Sequence, residues 1–480
     1  MIEYVDLRGW IDIAKRANQL VELRGVPLNE VGVIAQLDSK NKGPAIYFKD
    51  LPGYDGFGIL TNYLNNNVHL AITLGLDPNS DTRDLIIYIR DHYDEWLARS
   101  RDFPPRFVDD GPILRNVRSG DDVDLTIFPV PKWHVDDGGP YIGTGDAVIM
   151  RDPEGDWVNV GTYRVQLFGR NEVGLMIVPG HQGDLIMRKY FNSGKPVPVV
   201  MVFGLDPLLF IASSMEIPYG VSELNFVGAI RGEGVPVIKG EVTGLPIPAY
   251  AEIAVEGFIE PGKVREEGPF GEYTGYYTHR GPAPYMRVLR LYYRDDAIIT
   301  GMVPSKSTYS TYGYFRSVFR SAMIWGRLNK MGVQGINGVW VPEFGGSRSM
   351  VIVSMKQLYP GHATQVGALI MGIPESANFL KYVVIVDDDI NPYDMEDVLW
   401  AVCTRVDPKD DVDIVRKTWS QPLDPRIRRP TNDWTTSTMI IRAVKPYDWI
   451  NEFPKVAIEP EDVRREVFNK YGKVLNWKTY

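Results

Sequence analysis

The chain has 480 residues, 44% hydrophobic and 24% charged, so it can bury a large core spread over two or three domains. Its net charge of −9, from 61 acidic and 52 basic side chains, argues against a nucleic-acid-binding protein. The single cysteine, Cys403, excludes an intrachain disulfide and a cysteine metal cluster. The most apolar run, residues 197–215, is broken by Asp206-Pro207 and is therefore not a membrane span. No basic and apolar leader follows Met1, so we expect a soluble cytoplasmic protein.

The first region has the periodicity of helices. Apolar residues recur at helical spacing over residues 7–17, and residues 84–97 have a similar pattern. Phe103-Pro104-Pro105 and the polar stretch after it indicate a linker. We therefore predict an N-terminal α/β domain over residues 1–115.

The central region changes character at about Asn116, where short β-rich runs alternate with turn residues. The runs cover residues 147–150, 164–168, 175–178, 199–203, 251–258 and 286–293. This spacing predicts a barrel or sandwich over residues 116–310.

The last region returns to an α/β pattern. Residues 382–386 are typical of a buried strand, and Asn391-Pro392 can start a helix with proline in its first turn. Glu459-Pro460-Glu461 starts another helix, with acids at its N-terminal end. We predict a C-terminal α/β domain over residues 311–480.

One segment contains two glutamates in an arrangement that suits acid–base chemistry. Glu267 and Glu272 are separated by Gly, Pro, Phe and Gly, which cannot form a helix interior but can turn the chain so that both carboxylates converge. Convergence in a dry pocket separates the two pKa values and leaves one group as a general acid. An acidic surface turn fits the segment equally well.

Arg164 begins a β-like run, which would hold its side chain on a rigid element. An arginine there can bind a carboxylate through two parallel hydrogen bonds. Taken alone, a structural salt bridge is the simpler interpretation.

Four further residues, Asn159, His181, Glu223 and Lys381, give weak signals when taken singly. His181 would be a loop residue, Glu223 a surface acid and Lys381 a solvated strand end. Together, the first three form a hard oxygen and nitrogen set that suits Mg²⁺ or Mn²⁺. Such a metal commonly bridges to a phosphate, to which Lys381 can add positive charge.

The common enzyme motifs are missing from the sequence. It contains no Walker-type phosphate loop, no His-Glu-x-x-His, no Gly-x-Ser-x-Gly and no convincing Rossmann fingerprint.

In their order and spacing, these segments resemble the UbiD family of decarboxylases, which use prenylated flavin mononucleotide (prenylated FMN). The resemblance extends from residues 138–142 to Arg405. It implies a central split β-barrel, similar to flavin reductases, between N-terminal and C-terminal α/β domains. It also implies a homodimer or homohexamer, with a flavin prenyltransferase as the supplier of the cofactor.

The resemblance also assigns site residues. Arg164, Glu267 and Glu272 match the catalytic network of the family, and Asn159, His181 and Glu223 match its ligands for Mn²⁺ or Mg²⁺. Ala212, Ser213 and Met215, together with Glu223, match positions that bind K⁺. The implied cofactor-binding residues are Asn159, Arg164, His181, Ser213, Ser214, Met215 and Lys381, the last as the phosphate-binding lysine.

The implied reaction is the reversible, non-oxidative decarboxylation of an aromatic, heteroaromatic or α,β-unsaturated acid. CO₂ would leave from a covalent adduct with the cofactor, and Glu272 would then donate a proton. Three alternatives remain open: an FMN-dependent oxidoreductase, a cofactor-binding subunit of a multi-subunit carboxylase or decarboxylase, and a decarboxylase that uses only a metal.

Overall fold

The computed structural model describes residues 2–431 and 433–477, so Met1, Asn432 and residues 478–480, which belong to the first and last predicted domains, lie outside the described residues. Within these ranges the chain forms twelve α-helices: α1 (Leu7–Arg16), α2 (Val31–Ser39), α3 (Asn67–Thr73), α4 (Thr82–Arg99), α5 (Gln182–Asn192), α6 (Pro207–Ser214), α7 (Glu223–Arg231), α8 (Tyr314–Lys330), α9 (His362–Gly372), α10 (Pro374–Ala377), α11 (Met395–Arg405) and α12 (Glu461–Tyr471). None of the helices in this part of the chain combines the length and the apolar composition needed to cross a bilayer.

The same ranges contain twenty-one β-strands: β1 (Leu20–Arg24), β2 (Ala45–Lys49), β3 (Gly58–Thr61), β4 (Arg106–Phe107), β5 (Asn116–Ser119), β6 (Tyr141–Gly143), β7 (Asp146–Arg151), β8 (Val158–Gly161), β9 (Arg164–Leu167), β10 (Glu172–Met176), β11 (Val197–Phe203), β12 (Pro236–Lys239), β13 (Pro246–Pro248), β14 (Ile253–Glu267), β15 (Gly281–Tyr293), β16 (Ile298–Gly301), β17 (Ile336–Trp340), β18 (Met350–Met355), β19 (Tyr382–Asp387), β20 (Val412–Trp419) and β21 (Thr435–Ala443).

Nine strands form the central sheet, in the order β6-β9-β10-β15-β14-β11-β7-β8 with β5 paired to β15. The sheet curls into a half-barrel. Both of its faces are covered: along β7, Val148 and Met150 pack into one core, whereas Ala147 and Ile149 pack into another. Burial on both faces explains why this strand is continuously apolar rather than alternating. The expected fold class, a mixed multidomain fold around a central β-barrel-like sheet, is confirmed.

Two long strands of this sheet carry part of the candidate site. The sequence pattern ended one run at residue 258, but β14 continues through a register shift between Ile259 and Val264 and ends at Glu267, which pairs with Gly281 of β15. Pro261-Gly262 lies inside the shift, which is where a strand tolerates these residues. The extension carries Glu267 to the end of a long, paired strand.

The N-terminal region forms a four-stranded sheet, β1-β2-β3-β16. α1 begins at Leu7 because the Asp6 side chain accepts a 2.8 Å hydrogen bond from the Gly9 N–H, and Trp10 on its inner face is fully buried. β16 follows the barrel strands in sequence, yet it pairs in parallel with β3. The predicted division into three domains stays a prediction.

The C-terminal region forms a five-stranded sheet, β17-β18-β19-β21-β20, in which β19 is parallel to both of its neighbours. α11 begins at Met395 rather than at Asn391-Pro392, because the Asp394 side chain accepts hydrogen bonds from the Glu396 and Asp397 N–H groups and caps the helix there. One apolar cluster joins Leu60 of β3, residues of β11 and α8, and Val383 of β19. The N-terminal and C-terminal regions therefore pack against the central half-barrel.

Candidate active site

The turn after β14 brings two carboxylates to one place. Glu267 ends the strand and Glu272 follows five residues later. Gly268 has a φ of +83°, a left-handed conformation that glycine adopts without steric cost. Gly138 lies against this turn, and a Cβ at that position would come within 2.0 Å of the Gly268 carbonyl oxygen. The local fold therefore depends on a close approach between two glycines.

Arg164, the first residue of β9, joins both carboxylates. Its Nε and Nη2 each donate a 2.7 Å hydrogen bond to an oxygen of Glu267, and its Nη1 donates to Glu272 Oε1 at 2.8 Å. The three side chains are only 8%, 3% and 14% exposed, respectively. Paired, charge-assisted bonds of this kind fix the orientation of a guanidinium. The structure thus brings the three residues of the predicted network together.

The two acids have different surroundings. Glu272 lines the cavity that contains Arg164, whereas Glu267 does not line it and is hydrogen-bonded to Arg164. Burial raises the pKa of Glu272, although the charge of Arg164 opposes the shift. A raised pKa keeps more of this carboxyl protonated near neutral pH, which is what a general acid requires.

Sequence reasoning missed two residues that hold this network. Tyr141 donates a 2.8 Å hydrogen bond from its hydroxyl to Glu267 Oε1, and Gln166 Oε1 accepts one at 3.1 Å from the Gly268 N–H. Gln166 lies two residues after Arg164 and therefore on the same face of β9. The alternation of Arg164 and Gln166 with Val165 and Leu167 was an available signal of a shared polar face. Tyr141 lies in the segment where the family resemblance begins, but the sequence assigned it no role.

A second group lies on β8 and at the start of α7. Asn159 Nδ2 donates to Glu223 Oε1 at 3.1 Å, and Glu223 Oε2 accepts a 2.7 Å hydrogen bond from the Val160 N–H. Asn159 Oδ1 is buried and has no hydrogen-bond partner. Burial raises the pKa of Glu223 to about 8. A buried acceptor without a partner next to a buried carboxyl fits a site for a cation.

His181, the residue before α5, is the third residue of the predicted metal site. It lines the same cavity as Asn159 and Glu223. Burial, together with the charge of Arg348, lowers the pKa of His181 to about 4, so the imidazole is neutral and can act as a ligand. Within residues 2–431 and 433–477, no group of three or more His, Cys, Asp or Glu side chains is placed to hold a metal ion. A metal here would need the amide oxygen of Asn159 as the third ligand.

The predicted K⁺ positions lie at the end of α6. The Ser213 carbonyl accepts a 2.9 Å hydrogen bond from the Thr162 N–H, and the Ala212 carbonyl accepts one at 3.4 Å from the Met215 N–H. Ser213, Ser214 and Met215 line the cavity of the second group, whereas Ala212 does not. A carbonyl oxygen has two lone pairs, so these groups retain capacity to bind a cation.

The two groups face one two-part cleft. The first compartment, about 170 Å³, contains Arg164 and Glu272, and the second, about 220 Å³, contains Asn159 and Glu223. The side chains that line both compartments are Thr162, Tyr163, His181, Tyr312, Arg316 and Arg348. The shared lining residues place the acidic network and the second group on adjacent cavities.

Lys381 is not brought to this cleft. Its Nζ donates a 2.8 Å hydrogen bond to Asp424 Oδ1, and the side chain lines a separate cavity of about 810 Å³ with Arg416 and Arg426. Residue 381 precedes β19, as the sequence pattern indicated, but its charge is already paired.

Comparisons with known proteins give one consistent result. A family model described as the 3-octaprenyl-4-hydroxybenzoate carboxy-lyase Rift-related domain matches residues 106–307, and the model for the C-terminal domain of that carboxy-lyase matches residues 313–443. The chain is 30% identical over 457 residues to a phenolic acid decarboxylase of Streptomyces sp. (strain D7), with 92% of each chain covered.

Two solved structures share the whole architecture. The closed form of vanillic acid decarboxylase from Sedimentibacter hydroxybenzoicus matches with a TM-score of 0.83 at 28% identity, over 98% of this chain and 99% of that chain. The UbiD-class enzyme HmfF from Pelotomaculum thermopropionicum, in complex with FMN, matches with a TM-score of 0.82 at 26% identity, over 95% and 98% of the two chains.

Proposed function

Because the chain belongs to the UbiD family of carboxy-lyases, we propose that it removes CO₂ from an aromatic carboxylic acid with the help of prenylated FMN. The observation that carries this proposal is the two-part cleft, with Arg164 and Glu272 in one compartment and Asn159, His181 and Glu223 in the other. The names of the relatives support the substrate class, since they include a phenolic acid decarboxylase and a vanillic acid decarboxylase. The FMN in the related HmfF structure supports the cofactor class.

In this proposal the second compartment holds the cofactor phosphate through Mn²⁺ or Mg²⁺. Asn159 Oδ1, the neutral imidazole of His181 and the carboxylate of Glu223 supply the protein ligands. The unpartnered amide oxygen and the raised pKa of Glu223 support this assignment, because a divalent ion would satisfy the first and ionise the second. The Ala212, Ser213 and Met215 carbonyls, with Glu223, would bind K⁺ beside it.

Lys381 requires a rearrangement to reach the phosphate. Its ion pair with Asp424 must break before the ammonium group can approach the cleft. We keep Lys381 as the proposed phosphate-binding lysine, with Asp424 as the partner that it leaves.

The cofactor, when bound, supplies an electrophilic carbon that can take up the electron pair left by departing CO₂. Arg164 Nη1 has a second N–H beyond its bond to Glu272, and this donor can bind the substrate carboxylate. Glu272, in its protonated form, gives its proton to the carbon that lost CO₂. Glu267 keeps Arg164 in position through two hydrogen bonds, and Tyr141 in turn holds Glu267.

We also propose assembly as a homodimer or homohexamer. Several apolar side chains at the C-terminal end are exposed in the single chain, among them Val463 and Val467 of α12 and Leu475 after it. Exposed apolar patches of this kind favour burial against another copy. Light scattering of the purified protein tests the assembly.

Expression with and without a flavin prenyltransferase, the proposed cofactor supplier, tests the function. The two preparations are compared by absorption spectrum and by CO₂ release from benzoic, cinnamic, heteroaromatic and polycyclic acids. We expect CO₂ release only from protein made with the prenyltransferase. Equal activity of protein that contains ordinary FMN, or no release from any acid, would contradict the proposal.

A further inference from the structure

Three arginines lie near Glu216: Arg316 and Arg320 on α8, and Arg348 in the segment before β18. Arg320 Nη2 donates a 2.6 Å hydrogen bond to Glu216 Oε1, and Arg348 Nη2 donates to the same oxygen. Arg316 Nη2 donates instead to the Ser214 carbonyl oxygen at 2.8 Å. We call Arg316, Arg320 and Arg348 the arginine trio.

The trio has more positive charge than its surroundings neutralise. Glu216 is the one carboxylate that pairs with any of the three among the residues that the structure describes. The Nε atoms of Arg316 and Arg320 are buried without a hydrogen-bond partner. Burial and the charge of Arg348 lower the pKa of Arg320 to about 9, so its guanidinium still carries its charge at neutral pH. Three guanidinium charges thus share one carboxylate, and excess buried charge is costly unless a further anion pairs with it.

The neighbouring titratable groups do not supply the missing negative charge. The His181 imidazole carries no negative charge in either protonation state, and burial raises the pKa of Tyr273 to about 12, against the opposing charge of Arg348. Burial also raises the pKa of Tyr312, whose ring lies 4.5 Å from the Arg316 guanidinium. Glu272, the remaining acid of the first compartment, is paired with Arg164.

Two members of the trio border the place proposed for the substrate. Arg316 and Arg348 line both compartments, so they reach the one that contains Arg164 and Glu272. Asn159 and Glu223, two of the three proposed ligands of the phosphate-bridging metal, line only the second compartment, whereas the third, His181, lines both. The two arginines are therefore placed to contact a molecule held by Arg164, and not only the phosphate end of the cofactor.

On the basis of the proposed decarboxylase function, we infer that Arg348 and Arg316 bind a second acidic oxygen substituent of the substrate, a phenolic hydroxyl or a second carboxylate. Arg164 binds the carboxylate that is lost, and the two arginines bind the far side of the same molecule. The preferred substrate is thus an aromatic acid with two acidic groups. A guanidinium suits this role because its fork of donors fits carboxylate and phenolate oxygens.

The test compares acids that differ in one substituent. Binding of benzoate, 4-hydroxybenzoate and terephthalate, and of 2-naphthoate and 6-hydroxy-2-naphthoate, is measured by calorimetry. The protein is the holoenzyme with Glu272→Gln, which stops turnover. Arg348→Met is then added, which leaves Glu216 paired with Arg320 and should not create an unpaired carboxylate. Arg348→Lys keeps the charge, and Arg101→Met, at an exposed arginine, is the matched control.

We expect tighter binding of the acids with a second acidic group than of benzoate and 2-naphthoate. Arg348→Met should weaken their binding on the order of 10- to 100-fold and leave the other acids within about twofold. Arg348→Lys should retain part of the preference, and Arg101→Met all of it.

Three outcomes overturn the inference. The first is that the protein with Arg348 intact shows no preference for acids with a second acidic group. The second is that Arg348→Met weakens the binding of all the acids equally. The third is that the Arg348→Met variant loses bound flavin, which would assign Arg348 to the cofactor phosphate. The proposed function is tested separately by CO₂ release from protein that retains Glu272. If none is released while the Arg348-dependent preference persists, the function fails and the anion site stands.

Discussion

Replacement of Glu272 by glutamine should abolish most of the turnover while the cofactor stays bound. The glutamine oxygen can still accept the 2.8 Å hydrogen bond from Arg164 Nη1, and Arg164 keeps its two bonds to Glu267. The bonds of Arg164 therefore keep their geometry, and the variant loses the exchangeable proton, the charge and the acceptor of a long, 3.4 Å hydrogen bond from the Tyr273 N–H. General acid catalysis contributes about 10²- to 10⁴-fold to a rate, so kcat should fall by that factor, roughly 3–5 kcal/mol in activation free energy.

The assay is CO₂ release at saturating acid, with flavin content measured by absorbance in the same samples. KM should change little, because Arg164 stays in place. Glu266→Gln is the matched control, since the side chain of Glu266, the residue before Glu267, is 70% exposed and lies 3.8 Å from Arg280. The pH profile gives a second readout: wild-type kcat should fall as pH rises through the raised pKa of Glu272, because the proton donor is lost. A Glu272→Gln enzyme with kcat within about threefold of wild type would refute the assignment of the proton donor.

Three further changes test other parts of the molecule. Glu223→Gln should lower the metal content, measured by mass spectrometry, and the amount of bound flavin. Glu233→Gln, at an exposed acid, is the control and should lower neither. If both variants keep the same metal and flavin content, Glu223 is not a metal ligand. Arg405→Met should reduce the free energy of unfolding in urea by about 3–5 kcal/mol, because it leaves the buried Asp387 carboxylate without its 2.8 Å ion pair; a loss below about 1 kcal/mol would contradict this. Burial lowers the pKa of His69 to about 4. As the pH falls from 6.5 towards 4, this histidine is therefore protonated in the unfolded chain but stays neutral in the folded one. This residue should cost roughly 3 kcal/mol of stability by pH 4, and a His69→Gln variant with the same acid dependence as wild type would show that the loss arises elsewhere.

Part of the network of Arg164, Glu267 and Glu272 could be predicted from the sequence. The Gly-Pro-Phe-Gly spacer between Glu267 and Glu272 correctly indicated a turn, and the structure places both carboxylates on Arg164. The partner itself could not be derived from spacing, since residues 164 and 267 meet only through the pairing of distant strands. The resemblance to a known family supplied that link.

Other features depend on tertiary contacts that local patterns do not contain. Tyr141 and Gln166 support the network through bonds to Glu267 and to the Gly268 backbone, and neither belongs to a recognisable catalytic motif. β16 follows the barrel strands in the sequence, but it belongs to the N-terminal sheet because it pairs with β3. Lys381 lies where its sequence position indicated, yet its ion pair with Asp424 keeps it away from the cleft.

The central claim is that one flavin connects the two compartments, its phosphate held through a divalent ion and its ring beside the acid pair. The most direct measurement is a crystal structure of the protein purified with prenylated FMN and Mn²⁺, with anomalous scattering used to locate the manganese. We predict one manganese bound by Asn159, His181 and Glu223, with the flavin ring facing Arg164. A manganese or a flavin bound elsewhere, with these residues in contact with neither, would contradict the account.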